Sequence, residues 1–172
     1  MRNLLLLLLM SAAAGAAADP AVRSVQEVDL ARYAGKWYEI ARYPMFFQRN
    51  CLGDVTAQYT PLADDCISVT NRCRTDSGVD EANGKACTVP GTNNAQLHVS
   101  FFWPFRSDYW IIGLDPGYRW AVVGRPDHKY LWILSRTPQL PKEQLDQALK
   151  IAADQGYDVG QLKYTQQSGQ NP

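Results

Sequence analysis

The chain has 172 residues with 17 basic and 17 acidic side chains, so it carries no net formal charge. That balance excludes the basic footprint of a nucleic-acid binder or of a protein held on an anionic membrane surface. Five tryptophans, nine tyrosines and five phenylalanines are the more telling part of the composition, because aromatics on strands fill a core or line a cavity.

Met1-Arg2-Asn3, the apolar run from Leu4 to Met10 and Ala16-Ala17-Ala18 come first. One positive charge, a short apolar stretch and a small-residue cleavage site make a secretory signal peptide, too short to span a bilayer as a mature helix. Cleavage is expected after Ala18, giving a leader over 1–18 and a single domain over 19–172, long enough for a real core. No later run has the length of an integral membrane segment. No cysteine lies near the cleavage region, so the expectation is an exported protein without a lipid anchor, periplasmic or secreted and at most peripheral to an outer membrane.

From there the hydrophobic period is mostly two, the period of strands. Strands are expected over 35–43, 54–59, 67–74, 82–89, 95–102, 109–115, 120–124 and 130–135, with a short late one over 162–166. Turn signals separate them, among them Asp76-Ser77-Gly78, Pro90-Gly91-Thr92-Asn93-Asn94 and Asp115-Pro116-Gly117. One segment breaks the rhythm. Pro141-Lys142-Glu143 opens a stretch with Leu145, Leu149, Ile151 and Ala152 on one stripe, and Gly156 follows it. Proline at the start and glycine past the end predict a helix of about three turns, packed outside the sheet. Short hairpin connections and many apolar strands favour closure, which removes exposed edges. The fold class is all-β, an eight-stranded antiparallel up-and-down barrel with one C-terminal helix outside. A barrel of that size holds one small ligand.

Gly35-Lys36-Trp37 opens the first strand, and Arg136 follows the last large one. An indole under a flat guanidinium seals the narrow end of such a barrel, so Gly35, Trp37 and Arg136 are expected as structural closure. Alternation places Glu39 and Ala41 on the face of Trp37, and Trp132 and Leu134 on the face of Arg136. With Phe102, Tyr109 and Ile111 they form the expected ligand wall. Glu39 is costly inside an apolar cup unless paired or protonated; it is either salt-bridged near the floor or a handle for a ligand head group. Pro44, Phe46 and Phe47 are expected to form a lid over the mouth. Phe101-Phe102-Trp103-Pro104-Phe105 sits at a strand end, where it widens the rim or makes a contact between two copies.

Cys51, Cys66, Cys73 and Cys87 are an even set in an exported chain, which reads as disulfides. Cys66 and Cys73 lie on one extended strand, about 23 Å apart, far beyond bridging distance. Pairing 51–66 would need a turn inside the strand over 55–59. Cys51–Cys73 and Cys66–Cys87 remain. The spacings contain no C-x-x-C and the chain has two histidines, so no metal site is expected, and no cofactor. Gly-x-Ser-x-Gly, His-Glu-x-x-His and a phosphate loop are all missing, and His98 and His128 stand alone.

Three blocks resemble the lipocalin family. Tyr33-Ala34-Gly35-Lys36-Trp37-Tyr38-Glu39-Ile40-Ala41-Arg42 is similar to its first signature. Gly113-Leu114-Asp115-Pro116-Gly117-Tyr118 with Ala121-Val122-Val123-Gly124 matches the second, and Tyr130-Leu131-Trp132-Ile133-Leu134-Ser135-Arg136-Thr137-Pro138 the third. The likeness runs from about Asp29 to Gln166 and is closest to bacterial envelope lipocalins and apolipoprotein D-like relatives. It implies a lid after the first strand, a helix after the eighth, and binding of fatty acids, lysophospholipids or similar lipids. Some relatives are enzymes on apolar substrates, which gives one alternative; an envelope interaction module is the other. The best-known bacterial members carry a lipid-anchored N-terminal cysteine, and this chain departs from them there.

Overall fold

The computed structural model describes residues 20–169; the expected leader over 1–18 lies outside the described residues. A one-turn helix, α1 (Leu30–Tyr33), precedes nine strands. The strands are β1 (Gly35–Arg42), β2 (Gly53–Pro61), β3 (Cys66–Thr75), β4 (Gly78–Thr88), β5 (Gln96–Ser100), β6 (Ser107–Leu114), β7 (Trp120–Gly124), β8 (Leu131–Ser135) and β9 (Lys163–Tyr164). Helix α2 (Lys142–Asp154) lies between β8 and β9. Consecutive strands from β1 to β8 pair antiparallel, and β8 returns to β1. The sheet therefore closes into an eight-stranded up-and-down barrel, with β9 added beside β1.

Two apolar clusters follow from the strand alternation. Trp37, Tyr59, Ile67, Leu97, Ile111, Ala121, Val123 and Leu134 fill the interior. Ile40, Ile112, Val122, Leu131 and Ile133 point outward under Ala148 and Ala152 of α2, with Leu145, Leu149 and Ile151 of the expected stripe half-buried against the same cluster. No helix among the described residues is long and apolar enough to cross a membrane.

β4 starts four residues before its expected beginning. Its first half, from Gly78 to Ala82, is exposed on both faces, so no apolar alternation marks it. The strand forms there because β3 continues beside it, down to Thr75 opposite Gly78. Disulfides join Cys51 to Cys73 and Cys66 to Cys87. Cys66 and Cys87 are directly opposed on β3 and β4.

β1 and β2 stay paired only from Gly35–Tyr59 to Tyr38–Thr56. Beyond that the strands part, and the C-terminal segment fills the gap. Thr165 N–H donates to the Ile40 carbonyl (2.9 Å) and Asp54 N–H to the Gln166 carbonyl (2.8 Å). Gln167 Nε2 donates to the Glu39 and Val55 carbonyls (2.8 and 2.9 Å). Residues 163–168 thus form part of the barrel wall. Each such bond satisfies a strand group that the divergence would otherwise leave unpaired.

Candidate functional site

The floor is built around Trp37. Gly35 adopts φ +96°, a left-handed conformation that glycine tolerates, and a Cβ there would stand 3.2 Å from the Arg136 guanidinium. The guanidinium carbon lies 3.9 Å above the indole. Its Nη1 donates to the Lys36 carbonyl (3.0 Å), Nη2 to the Arg32 and Tyr33 carbonyls (2.6 and 3.2 Å), and Nε to the Tyr118 carbonyl (3.3 Å). Arg136 therefore ties the C-terminal carbonyls of α1 to the indole. Asp29 starts α1, its carboxylate accepting from the Ala31 and Arg32 amides. The Trp37 indole N–H donates to the Tyr33 carbonyl at 2.8 Å.

Above this floor the interior changes character. Trp37, Tyr59, Ile67, Leu97, Ile111, Ala121 and Leu134 are buried, whereas Val99, Phe101, Tyr109 and Trp132, nearer the other end, are half-buried. Gly84 makes room on β4 for the Phe101 ring, which would stand 2.9 Å from an added Cβ. The two halves thus differ: a fully covered floor, and an upper half whose aromatic and aliphatic side chains are only half-buried.

A polar hub sits in the wall where β1 and β2 part. Glu39 is buried and forms an ion pair with Arg42 at 3.2 Å. Gln48 Nε2 donates to Glu39 Oε2 (3.0 Å), and the Thr165 hydroxyl donates to Oε1. The Trp132 indole N–H reaches Gln48 Oε1 at 3.4 Å. Gln48 belongs to the 3-10 turn Phe46–Gln48 after β1, so Glu39 and Trp132 both meet the lid segment through it. Burial pushes the Glu39 carboxyl above the usual range, against the lowering effect of Thr165, Gln48 and Arg42. A raised folded-state pKa contributes stability that is complete below the unfolded value and lost as pH rises through the folded one. Glu39→Gln removes this ionisation. Its stability relative to the unsubstituted chain should therefore rise with pH above about 4.3, measured by urea unfolding from pH 4 to 8. A pH-independent difference would reject the buried ionisation.

The open end is ringed by aromatics. Phe46, Phe102 and Trp103 are 75%, 79% and 86% exposed, and Phe47 and Phe105 are exposed beside them. Phe47 packs on Tyr130 with ring centroids 5.6 Å apart, and Arg49 covers Phe46. Pro44, Phe46 and Phe47 stand at the rim rather than closing it. A cleft of about 640 Å³ opens beside them, between Arg42, Met45, Arg49, Leu52 and the C-terminal Lys163 and Thr165.

Two expected wall residues are placed elsewhere. Ala41 faces outward into the cluster under α2. A bulge at Ile40 shifts the register against β8 between Glu39 and Ala41 and reverses the alternation, so Arg42 instead stands opposite Trp132. Phe102 lies outside because β5 ends at Ser100 and the chain turns there; its neighbour Phe101 packs inward instead. Ile111 and Leu134 face the interior but are covered in the floor layer, and Tyr109 and Trp132 stand half-buried above it. Glu39 takes the salt-bridged arrangement, in the upper wall rather than at the floor. His98 lies on the outer face, exposed, 3.2 Å from Asp108. His128 Nε2 contacts the Gln155 carbonyl at 2.8 Å. Among the described residues no group of histidine, cysteine and acidic side chains is placed to hold a metal.

Arg42, Gln48, Thr165, Tyr33 and Tyr59 were not legible as site residues. The last two follow no local pattern, since Tyr33 precedes the first strand and Tyr59, on the strand paired with it, meets Tyr109 of β6 only across the closed barrel. Arg42 becomes visible only with the bulge.

Residues 28–167 match the family model of the lipocalin-like domain. Outer membrane lipoprotein Blc of Vibrio cholerae is 41% identical over 150 residues, spanning 86% of this chain and 87% of that protein. Its namesake from Escherichia coli K12 is 42% identical over 86% and 84%. Apolipoprotein D of Macaca fascicularis is 33% identical over 83% and 79%. Among solved structures, insecticyanin from the tobacco hornworm Manduca sexta superposes with a TM-score of 0.71 at 23% identity, covering 86% of this chain and 85% of its own; at that identity the likeness concerns the fold. The bacterial relatives overturn the expected unanchored, periplasmic or secreted location, because they are outer membrane lipoproteins. That expectation rests only on the residues around Ala18, which the placement shared by these relatives outweighs.

Proposed function

The chain belongs to the lipocalin family, and from that premise we propose that it binds and carries one small hydrophobic molecule, such as a fatty acid or lysophospholipid. The observation that carries the reading is the change from a buried floor to half-buried aromatic walls along one barrel axis. Trp132, Tyr109, Val99 and Phe101 are the proposed contacts, with Ile111 and Leu134 as the floor beneath the ligand. Glu39 holds the lid segment in place through Gln48. The driving force is burial: about ten methylenes removed from water contribute on the order of 8 kcal/mol, the scale of a micromolar dissociation constant before association costs. We read the protein as a carrier rather than an enzyme, since its two histidines are an exposed partner of Asp108 and a turn contact of Gln155. Residues 1–18 are proposed as its signal peptide.

Titration with a fluorescent fatty acid tests this. Saturable, one-site quenching of tryptophan emission is expected; absence of saturation with fatty acids and lysophospholipids alike would reject the reading, and turnover of the lipid would reveal an enzyme. In the same assay Trp132→Ala should weaken binding about tenfold while the chain stays folded. Unchanged affinity with a large drop in melting temperature would instead make Trp132 a packing residue.

A further inference from the structure

Three phenols meet inside the barrel, on elements far apart in sequence. The Tyr33 hydroxyl lies 2.8 Å from that of Tyr109, which lies 2.8 Å from that of Tyr59. Tyr33 also packs on Trp37 and on Tyr59, with centroids 5.0 and 5.5 Å apart, so the group rests directly on the sealed floor. Tyr109 stands on β6 one inward position above Ile111, where the fully covered floor layer gives way to half-buried side chains.

Counting protons fixes the direction of these bonds. Three hydroxyls carry three protons, and two oxygen–oxygen contacts use two of them. Tyr33 and Tyr59 are 0% and 4% exposed, and among the described residues Tyr109 is the hydrogen-bond partner of each hydroxyl. A buried hydroxyl without an acceptor is costly, so both donate to Tyr109. The Tyr109 oxygen then accepts twice, and its own proton is left over. Its ring is half-buried and packs on the interior cluster, so that proton is left for the upper half of the barrel interior. Burial pushes all three phenols above their usual range, Tyr59 to about 12, so the protons are retained at any ordinary pH.

The structure assigns Tyr109 as the donor for a neutral oxygen acceptor at the inner end of the ligand: a ketone, ester or ether oxygen on an otherwise apolar molecule. This rests on the carrier reading above and narrows its ligand class. A carboxylate does not suit the position. One donor cannot replace the water lost by an anion, and the guanidinium of Arg136 spends its donors on four backbone carbonyls outside the indole. A plain acyl chain entering tail-first leaves the Tyr109 proton without a partner, so an oxygen placed there is selected for.

The test is displacement of a bound fluorescent fatty acid by 2-tetradecanone and by 1-tetradecene, two chains of equal length. The ketone should compete about three- to tenfold better, the worth of one net hydrogen bond. Tyr109→Phe should abolish that preference, and Tyr59→Phe, which leaves the Tyr109 hydroxyl in place, should keep it. Infrared spectroscopy of the carbonyl-labelled ketone bound to the unsubstituted protein gives a readout that needs no variant to fold. The stretch should fall below its frequency in hydrocarbon solvent. Equal competition by both compounds, or a stretch unchanged from hydrocarbon, overturns the assignment while leaving the carrier reading intact. Failure of the fluorescent probe itself to bind would instead defeat the carrier reading, and this inference with it.

Discussion

Replacing Trp37 with alanine is expected to lower the unfolding free energy by about 3–5 kcal/mol, the range for deleting a fully buried large aromatic. The indole is 0% exposed and touches both kinds of closure at once. Arg136 stacks on one face, Tyr33 packs beside it, and the indole N–H occupies the Tyr33 carbonyl. Removing it leaves a cavity at the sealed end and a guanidinium without its platform. Arg136→Ala should cost less, about 1–2 kcal/mol for the lost stacking, plus whatever the freed carbonyls of Arg32, Tyr33, Lys36 and Tyr118 fail to recover from water. Arg136→Lys should rescue little of this, since a lysine ammonium has neither the plane nor the fork. Urea unfolding followed by circular dichroism measures all three. A loss below about 1 kcal/mol for Trp37→Ala, well under the range for a buried aromatic, would mean that the floor is held by something other than the indole.

Removing the Cys66–Cys87 bridge, by alanine at both positions, should cost about 3 kcal/mol. The two cysteines are 21 residues apart, and closing a loop of that length restrains the unfolded chain by roughly that amount. Cys51 and Cys73 are 22 residues apart, so the loss of their bridge should destabilise about equally. The two bridges differ in what they hold. Cys66–Cys87 joins strands that stay paired along their whole length. Cys51 instead ends the lid segment, pinned to β3 together with the bond from Leu52 N–H to the Arg74 carbonyl at 2.8 Å. Stopped-flow binding of a fluorescent fatty acid should therefore show faster exchange for the Cys51/Cys73 double variant than for the Cys66/Cys87 one. Equal rates would mean that the tether does not govern access.

The barrel was legible because its determinants are local and repeated. Alternating apolar residues mark each strand, and glycine, aspartate and asparagine mark the turns. The pairing of Trp37 with Arg136 closes the architecture without further information. What escaped depends on events that leave no period in the sequence. A single extra residue, Ile40, turned Ala41 outward and Arg42 inward. The end of β5 at Ser100 exchanged the roles of Phe101 and Phe102. The exposed half of β4 has no apolar face to announce it, and although a short late strand was legible over 162–166, its place in the gap where β1 and β2 part was not. The tyrosine group is assembled from α1, β2 and β6, which only closure brings together.

The account depends most on the upper half of the barrel being a hollow that takes up an apolar guest. Native mass spectrometry of the protein, before and after incubation with fatty acids and lysophospholipids, tests this most directly. One bound molecule per chain is expected, retained through desalting and lost when Trp132 is replaced by alanine. A spectrum showing only the bare polypeptide mass after every incubation would contradict it.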